Sequence, residues 1–482
     1  MGNQEYKQSD LVKVLRFFGL AILAILANYY APVWGKVIFH LATLVLYFKC
    51  KPEAEPFWLA YFFILADGFF GFFGLYEVTL SLLPGLPEVE VSQLYIILSI
   101  IKARNTVSTY RPFYQTPLLV LSIYLIYLII QGYVVGVDLA MNVQFRIFKW
   151  IVPLMLLYSI PKLFQKQEQY TELFVYLFPV ALVALGTQLF TILTSSSPVA
   201  FFGAKKEIWW AIEITKDKTY RGLYNESLII ASNLGALFYL AQRKSHFSNM
   251  YLFTVLIANF ASIFLSATRG WTIYMVFILL SSMFFIVQFD RRRVMSVSTI
   301  ILLAILASQA IPTLRIQTNN AFKRLLTLEK LAQGDATAGG TLIRITERGP
   351  RVMRKWELSK LTGWGFSREF MDNNDVHVGN QNILMQSGII GAALMIFFIG
   401  FVSVKLWLRY LNVGFDFKYR KALLLFPIYF IGWFIIHSSS EQEFAYYQFP
   451  STGITQAVFF GMIALTYFYA VREENAESVV AV

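Results

Sequence analysis

The run Asp372-Asn-Asn-Asp375-Val-His377-Val-Gly-Asn380-Gln-Asn382 sets one imidazole among carboxylates and amides, just before an apolar stretch. A histidine has a reference pKa of about 6.5, so near neutral pH it is free to accept a proton from an attacking hydroxyl. The same polar segment carries Arg344, Arg348 and Arg351. Guanidinium holds phosphate through forked, charge-assisted hydrogen bonds. Two more arginines, Arg221 in YRGLYNES and Arg269 in SATRGW, border apolar runs. Arginine there is costly and marks a pathway or a binding site, with snorkelling to the interface as the plain alternative. A base and several anion-binding groups suit transfer from a phosphate-bearing donor. His377 reads either as an interfacial histidine that caps a helix or bonds a carbonyl, or as a group that deprotonates or positions the acceptor while the arginines stabilise the departing group.

Other assignments compete. Asp372 and Asp375 read either as metal ligands beside His377 or as loop and cap residues; the second is preferred and no metal is expected. Glu441 and Glu443, with His437, read as an alternative base or a solvated interface. Asp67, inside FILADGFFGF, is a functional flag or a structural partner of Lys36 or His40. Glu347 and Arg351, four apart, suit a pair on one helix face. Arg146 and Lys149 suit a lipid phosphate. A single cysteine, Cys50, leaves neither a disulfide framework nor a cysteine metal site.

The elements that must position these residues follow from composition. Of 482 residues, 57% are hydrophobic and 15% charged. Soluble domains carry roughly 25% charged residues, so the chain reads as an all-α polytopic integral membrane protein. A spanning helix needs ~20 apolar residues, and on that length about 14 spans fit. The basic connections around Lys49, Lys102, Lys162, Arg243, Arg291 and Lys405 all fall on one side if both termini are cytoplasmic. The first residues read as a cytoplasmic start without a cleavable signal. Basic inner loops also account for the net charge of +12, so no nucleic acid is implied.

Four parts result. Residues 1–193 are N-terminal spans, and 194–311 are central spans carrying the outward arginines. Residues 312–381 are one large outer loop between the eleventh and twelfth spans. Residues 382–482 are the C-terminal spans and tail. Within the loop, AFKRLLTLEKLAQ has helical apolar spacing, GDATAGG reads as a break, and Gly349-Pro350 suits a new helix start. A loop this long is usually functional.

Three stretches together resemble the O-antigen ligase family, which includes O-antigen polymerases and bacterial O-oligosaccharyltransferases. They are YRGLYNESLIIASNLG, LSATRGW, and LTGWGFSREF with VHVGNQNILMQSGIIGAAL. The resemblance covers residues 215–405. The family has asparagine directly after its histidine, whereas Val378 and Gly379 intervene here before Asn380. It implies a metal-independent, cofactor-free, inverting glycosyltransferase. The enzyme would sit in the bacterial inner membrane with its active site facing the periplasm. It would move an oligo- or polysaccharide from undecaprenyl pyrophosphate to lipid A core or to another lipid-linked glycan. Position by position, it implies Arg221 and Arg269 on the pyrophosphate and His377 in catalysis. Arg344, Arg348, Arg351, Asn380 and Asn382 are further substrate-binding candidates. Ligase and polymerase share this donor chemistry and stay open as alternatives. A lipid-linked oligosaccharide flippase is a more distant one, because the spans are poor in charge and the polar content gathers in one outer loop.

Overall fold

The computed structural model describes residues 2–68, 78–81, 85, 87–196, 198, 213–214, 220–221, 226–242, 244–286, 295, 298–299, 302, 306–332, 343–375, 377–438 and 443–480. Only backbone is described for 2–9, 213–214, 221, 327–332 and 475–480. The described chain is built from helices. In order they are α1 (Gly2–Tyr30), α2 (Val33–Phe48), α3 (Glu55–Ala66), α4 (Val91–Asn105), α5 (Gln115–Val135), α6 (Met141–Ile151), α7 (Leu156–Leu163) and α8 (Gln167–Thr194). The second half holds α9 (Glu226–Leu240), α10 (Asn249–Leu265), α11 (Arg269–Phe285), α12 (Pro312–Ala332), α13 (Gly349–Glu357), α14 (Arg368–Asn373), α15 (Gly379–Asn412), α16 (Ala422–His437) and α17 (Pro450–Val480). Two antiparallel ladders of two-residue strands, β1 (Thr79–Leu80) with β2 (Val89–Glu90) and β3 (Glu213–Ile214) with β4 (Tyr220–Arg221), complete it.

Among the described residues, five segments are long and apolar enough to cross a membrane: Gln115–Val135, Met141–Leu163, Gln167–Thr194, Gly379–Asn412 and the Pro450–Glu474 part of α17. Shorter apolar helices, α2, α9, α10, α11 and α16, pack among them. Helices form here because unbroken apolar runs in hydrocarbon can satisfy their backbone only internally. The outer faces carry exposed Leu, Ile and Phe, as on α5 at Leu119, Ile123 and Ile126, whereas α9 is buried from Ser227 to Leu240. Of the expected eleventh span, 294–311, only 295, 298–299, 302 and 306–311 are among the described residues, and GDATAGG lies wholly outside them. The amphipathic segment is helical as expected and begins earlier, at Pro312. Gly349-Pro350 does open a helix, α13.

One element departs from a simple span. Helix α15 is broken at Gly388, whose φ is 64° and ψ −171°. Backbone freed by the break is taken up by the segment before α14. The N–H groups of Trp364 and Gly365 donate to the carbonyls of Met385 (2.9 Å) and Gln386 (2.8 Å). On the other side of the break, Ile389 and Ile390 donate to Lys360 (2.9 Å) and Leu361 (3.1 Å). The same segment crosses α5: Phe366 donates to Leu128 O (3.2 Å) and Arg368 to Gly136 O (3.0 Å). Gly363 and Gly365 also have positive φ. A Cβ on Gly363 would overlap the Gln386 carbonyl, one on Gly388 the Leu361 carbonyl, and one on Gly132 would come within 2.8 Å of the Phe366 backbone. Glycine is required here for both conformation and space.

Gly388→Ala is therefore expected to lower unfolding stability by about 2–3 kcal/mol or more, as a strained left-handed alanine with a backbone clash. Gly400→Ala in the same helix, where no other group lies within 4 Å, is expected to be neutral or slightly stabilising. Thermal unfolding of the two detergent-purified variants against the parent chain checks this.

Candidate functional site

The polar lip begins where α13 starts. Residues Arg344–Arg348 form a single wide π-turn, which leads directly into Gly349 and Pro350. The wider turn removes the four-residue register expected for Glu347 and Arg351. Arg351 instead donates from Nη2 to Asp375 Oδ2 (3.0 Å), and Arg348 from Nη1 to Asp375 Oδ1 (3.4 Å). Asp375 Oδ1 also accepts the His377 backbone N–H (3.0 Å). One carboxylate thus fixes two arginines and the backbone beside the imidazole. Asp372 pairs with Arg368 (3.3 Å), with both side chains exposed. Both carboxylates weighed as metal ligands are therefore engaged by arginine.

The lip is bolted to the start of α15. Asn382 is fully buried. Its amide accepts from Asp375 N (3.0 Å) and donates to Asp375 O (2.6 Å), a two-bond bracket. Asn380 donates to Phe434 O in the last turn of α16 (3.2 Å). These two residues were candidates for substrate; their described bonds are to the protein's own backbone, and they hold the histidine loop. His377 itself is half-buried. Its pKa is lowered from the ordinary histidine value, first by burial and then by the positive charges of Arg344 and Arg348, against which Asp375 acts weakly. Neutral imidazole is favoured, the form a general base needs.

The backbones just before the two short-motif arginines are linked through a residue the sequence did not single out. Gln317 of α12 is buried. Its amide accepts from Tyr220 N (2.8 Å) and donates to the carbonyls of Tyr220 (2.9 Å) and Leu265 (2.5 Å). Tyr220 precedes Arg221. Leu265 ends α10, four residues before Arg269. Between them, Ala267 has a positive φ of 54° and the Ser266 and Thr268 hydroxyls lie 2.6 Å apart. Tyr220, Leu265, Ile192 and Leu314 close a small apolar cluster around this joint. A glutamine within TLRIQTNN gives no local sign of such a role.

Further contacts run from the end of α16 toward the start of α9. Asn380 reaches the last turn of α16. His437 closes that helix, and its Nε2 accepts the N–H groups of Glu443 (2.6 Å) and Phe444 (3.3 Å). Glu443 and Glu226 both act on Asp67, whose carboxylate accepts Leu228 N (3.3 Å) in the first turn of α9. Glu226 follows the arginine-bearing β4. His437 is thus a structural acceptor and not a free base. Asp67 caps α9 and is hydrogen-bonded to neither Lys36 nor His40. Lys149, considered for lipid phosphate, is paired with Glu90. Glu441 lies outside the described residues, as does the side chain of Arg221. Compared with family profiles and with curated proteins, the chain matches none.

Two outcomes follow. In histidine-labelled protein, the His377 resonance is expected to titrate below the ordinary value. Arg348→Gln removes a neighbouring cation, stabilises the imidazolium and moves that titration to higher pH, which an NMR pH series reads directly. Gln317→Leu keeps the volume but leaves the Tyr220 and Leu265 backbone groups unpaired, each at a cost of about 1–3 kcal/mol. Faster tryptic cleavage after Arg221 is expected, with little change in cleavage of the α13–α14 segment.

Proposed function

We propose that the chain is a membrane glycosyltransferase. It transfers an oligo- or polysaccharide from undecaprenyl pyrophosphate to an acceptor hydroxyl on the periplasmic face, as an O-antigen ligase acting on lipid A core. The observation that carries this reading is the polar lip. A half-buried histidine kept neutral by burial and by arginines stands where a broken apolar helix begins. In this reading both termini are cytoplasmic, about 14 segments span the membrane, and the lip faces outward.

The chemistry asks little of the protein beyond position and charge. His377 accepts the acceptor's proton as its oxygen attacks the anomeric carbon from the side opposite the pyrophosphate, inverting the configuration. Arg221 and Arg269 hold the pyrophosphate, which departs with the bonding electron pair and is stabilised as charge builds on it. Arg344, Arg348 and Arg351 supply a second cationic face for the substrate. Two lipid-anchored substrates held at one lip gain most of the remaining rate from orientation. A polymerase joining lipid-linked repeats would use the same groups with a different acceptor.

The gene is deleted in its host and complemented with the parent chain, His377→Ala, Arg221→Ala or Arg269→Ala. Bare core with polymer retained on the carrier lipid is expected in the deletion. A core capped by single repeats indicates the polymerase instead. Each variant should reach the membrane at parental abundance and fail to restore surface glycan. For His377→Ala, a rate loss of about 10²–10⁴-fold is expected from removing a positioned base. Full restoration by all three variants would sink the site assignment.

A further inference from the structure

The spans are poor in charge, but helix α2 is not poor in polar groups on its inner face. Its buried residues are His40, Thr43, Leu44 and Tyr47. The opposite face exposes Val33, Trp34, Ile38, Leu41, Val45 and Leu46 to the surroundings. Lys36, His40, Thr43, Tyr47 and Cys50 follow one another at steps of four, three, four and three. Within α2, from Lys36 to Tyr47, a rise of ~1.5 Å per residue makes this stripe about 17 Å long, over half of a hydrocarbon layer of ~30 Å, and Cys50 follows just past the helix end.

The stripe faces polar groups on α3 and α4. Tyr95 of α4 lies 4.8 Å from Tyr47 by ring centroids, and Phe62 of α3 stacks on Tyr95 at 4.5 Å. Tyr61, next to Phe62, lies beside Thr43. Ser92 sits one turn from Tyr95 on the same helix. His40, Ser92 and Tyr95 are fully buried, or nearly so, as are Tyr47 and Tyr61. The Tyr61 hydroxyl is hydrogen-bonded to the Thr43 side chain, yet neither ring nitrogen of His40 has a hydrogen-bond partner among the described residues, and neither do the hydroxyls of Tyr47, Ser92 and Tyr95. Thr43 spends its proton on the His40 carbonyl (2.7 Å). Buried polar groups in native proteins are almost always paired, and each exception calls for an explanation. Four such side chains, with the Tyr61–Thr43 pair, lie on the facing surfaces of α2, α3 and α4. Every one of them both donates and accepts.

Both ends of the file carry charge. At one end half-buried Lys36 has the carboxylate of Glu88 as its electrostatic neighbour. Glu88 is exposed and accepts the Thr79 hydroxyl (2.6 Å). At the other end Lys102 is ion-paired with buried Glu55, lies 4.5 Å over the Tyr47 ring and donates to Tyr47 O (3.1 Å).

We propose that α2, α3 and α4 enclose a proton-conducting file. It runs from the Lys36–Glu88 end through His40, Tyr61, Ser92, Tyr95 and Tyr47 to the Glu55–Lys102 end, with water bridging the gaps. At His40 an N–H bond forms on one ring nitrogen as the N–H on the other breaks. At each tyrosine the oxygen accepts one proton and passes its own onward. Ring and hydroxyl rotation then restores the starting state, so one proton taken up at one end is released at the other. The electrochemical gradient drives it, and no oxidant or reductant is involved. Intramembrane histidine and carboxylate chains are used in this way in proton relays. The proposal is independent of the glycan-transfer reading, since none of these residues belongs to the lip.

The full chain is reconstituted into phosphatidylcholine vesicles containing a minority of phosphatidylglycerol and trapped pyranine. A potassium gradient with valinomycin drives proton uptake. The parent chain is expected to acidify the lumen faster than protein-free vesicles. His40→Leu should return the rate to that of empty vesicles, and Tyr61→Phe and Tyr95→Phe should slow it. Ser122→Ala, on the exposed face of α5, should leave it unchanged. Gel filtration and thermal unfolding establish that each variant is folded; if His40→Leu is not, the two tyrosine variants decide, since they remove only a hydroxyl. Parent vesicles no faster than empty ones, or parental flux in the folded file variants, overturns the proposal.

Discussion

The interaction on which the rest depends is the insertion of residues 360–366 into the break at Gly388. An unbroken α15 would carry Asn382, and with it the histidine loop, in whatever direction its transmembrane part points. The break separates the two. Residues Gly379–Ser387 become a short helix whose direction is set by four backbone hydrogen bonds to the inserted segment and by Asn380 on α16. Open backbone in hydrocarbon would be prohibitive. Here the segment that closes the wound in α15 also ties the lip to α5. Stability and site geometry therefore share one set of contacts.

The helical architecture was legible because apolar length is a local property. Spans, the α12 amphipathic stretch and the Pro350 start can all be read within a window of a turn or two. In the run Gly388-Ile-Ile-Gly391, Gly391 packs closely against Tyr124 and Ser387. Gly388 is different. Ser387 and Ile389 are compatible with a continuous helix, so nothing local announces a break. Its partner glycines, Gly363 and Gly365, have no local reason either: Gly363 packs on Gln386, some twenty positions on, and Gly365 on Leu128 of α5, more than two hundred positions back.

The site divides the same way. His377 and the arginines stood out by residue type. Their connections did not, since each depends on a contact distant in sequence. Arg351 prefers Asp375 to its near neighbour Glu347. Asp67 finds a helix terminus on α9, not the basic residues of α2. His437 is consumed by two amides that follow it. Gln317 escaped notice because a glutamine in a polar helix is ordinary until its two partners, nearly a hundred and some fifty residues upstream, are known. The polar stripe on α2 escaped for another reason: Tyr and Thr count as neither charge nor break, so a span bearing them still scores as apolar.

Asp375 has one further consequence. Arg348 and Arg351 do not wait with open hands; both already hold a carboxylate that is itself nearly buried. An anionic ligand arriving at this face must take the guanidinium groups by exchange. Asp375 would then lose the cations that neutralise it while keeping its hold on the His377 backbone. Occupation of the arginines would thus change the field felt by the imidazole, so the lip would register a bound anion as a change in the histidine's basicity.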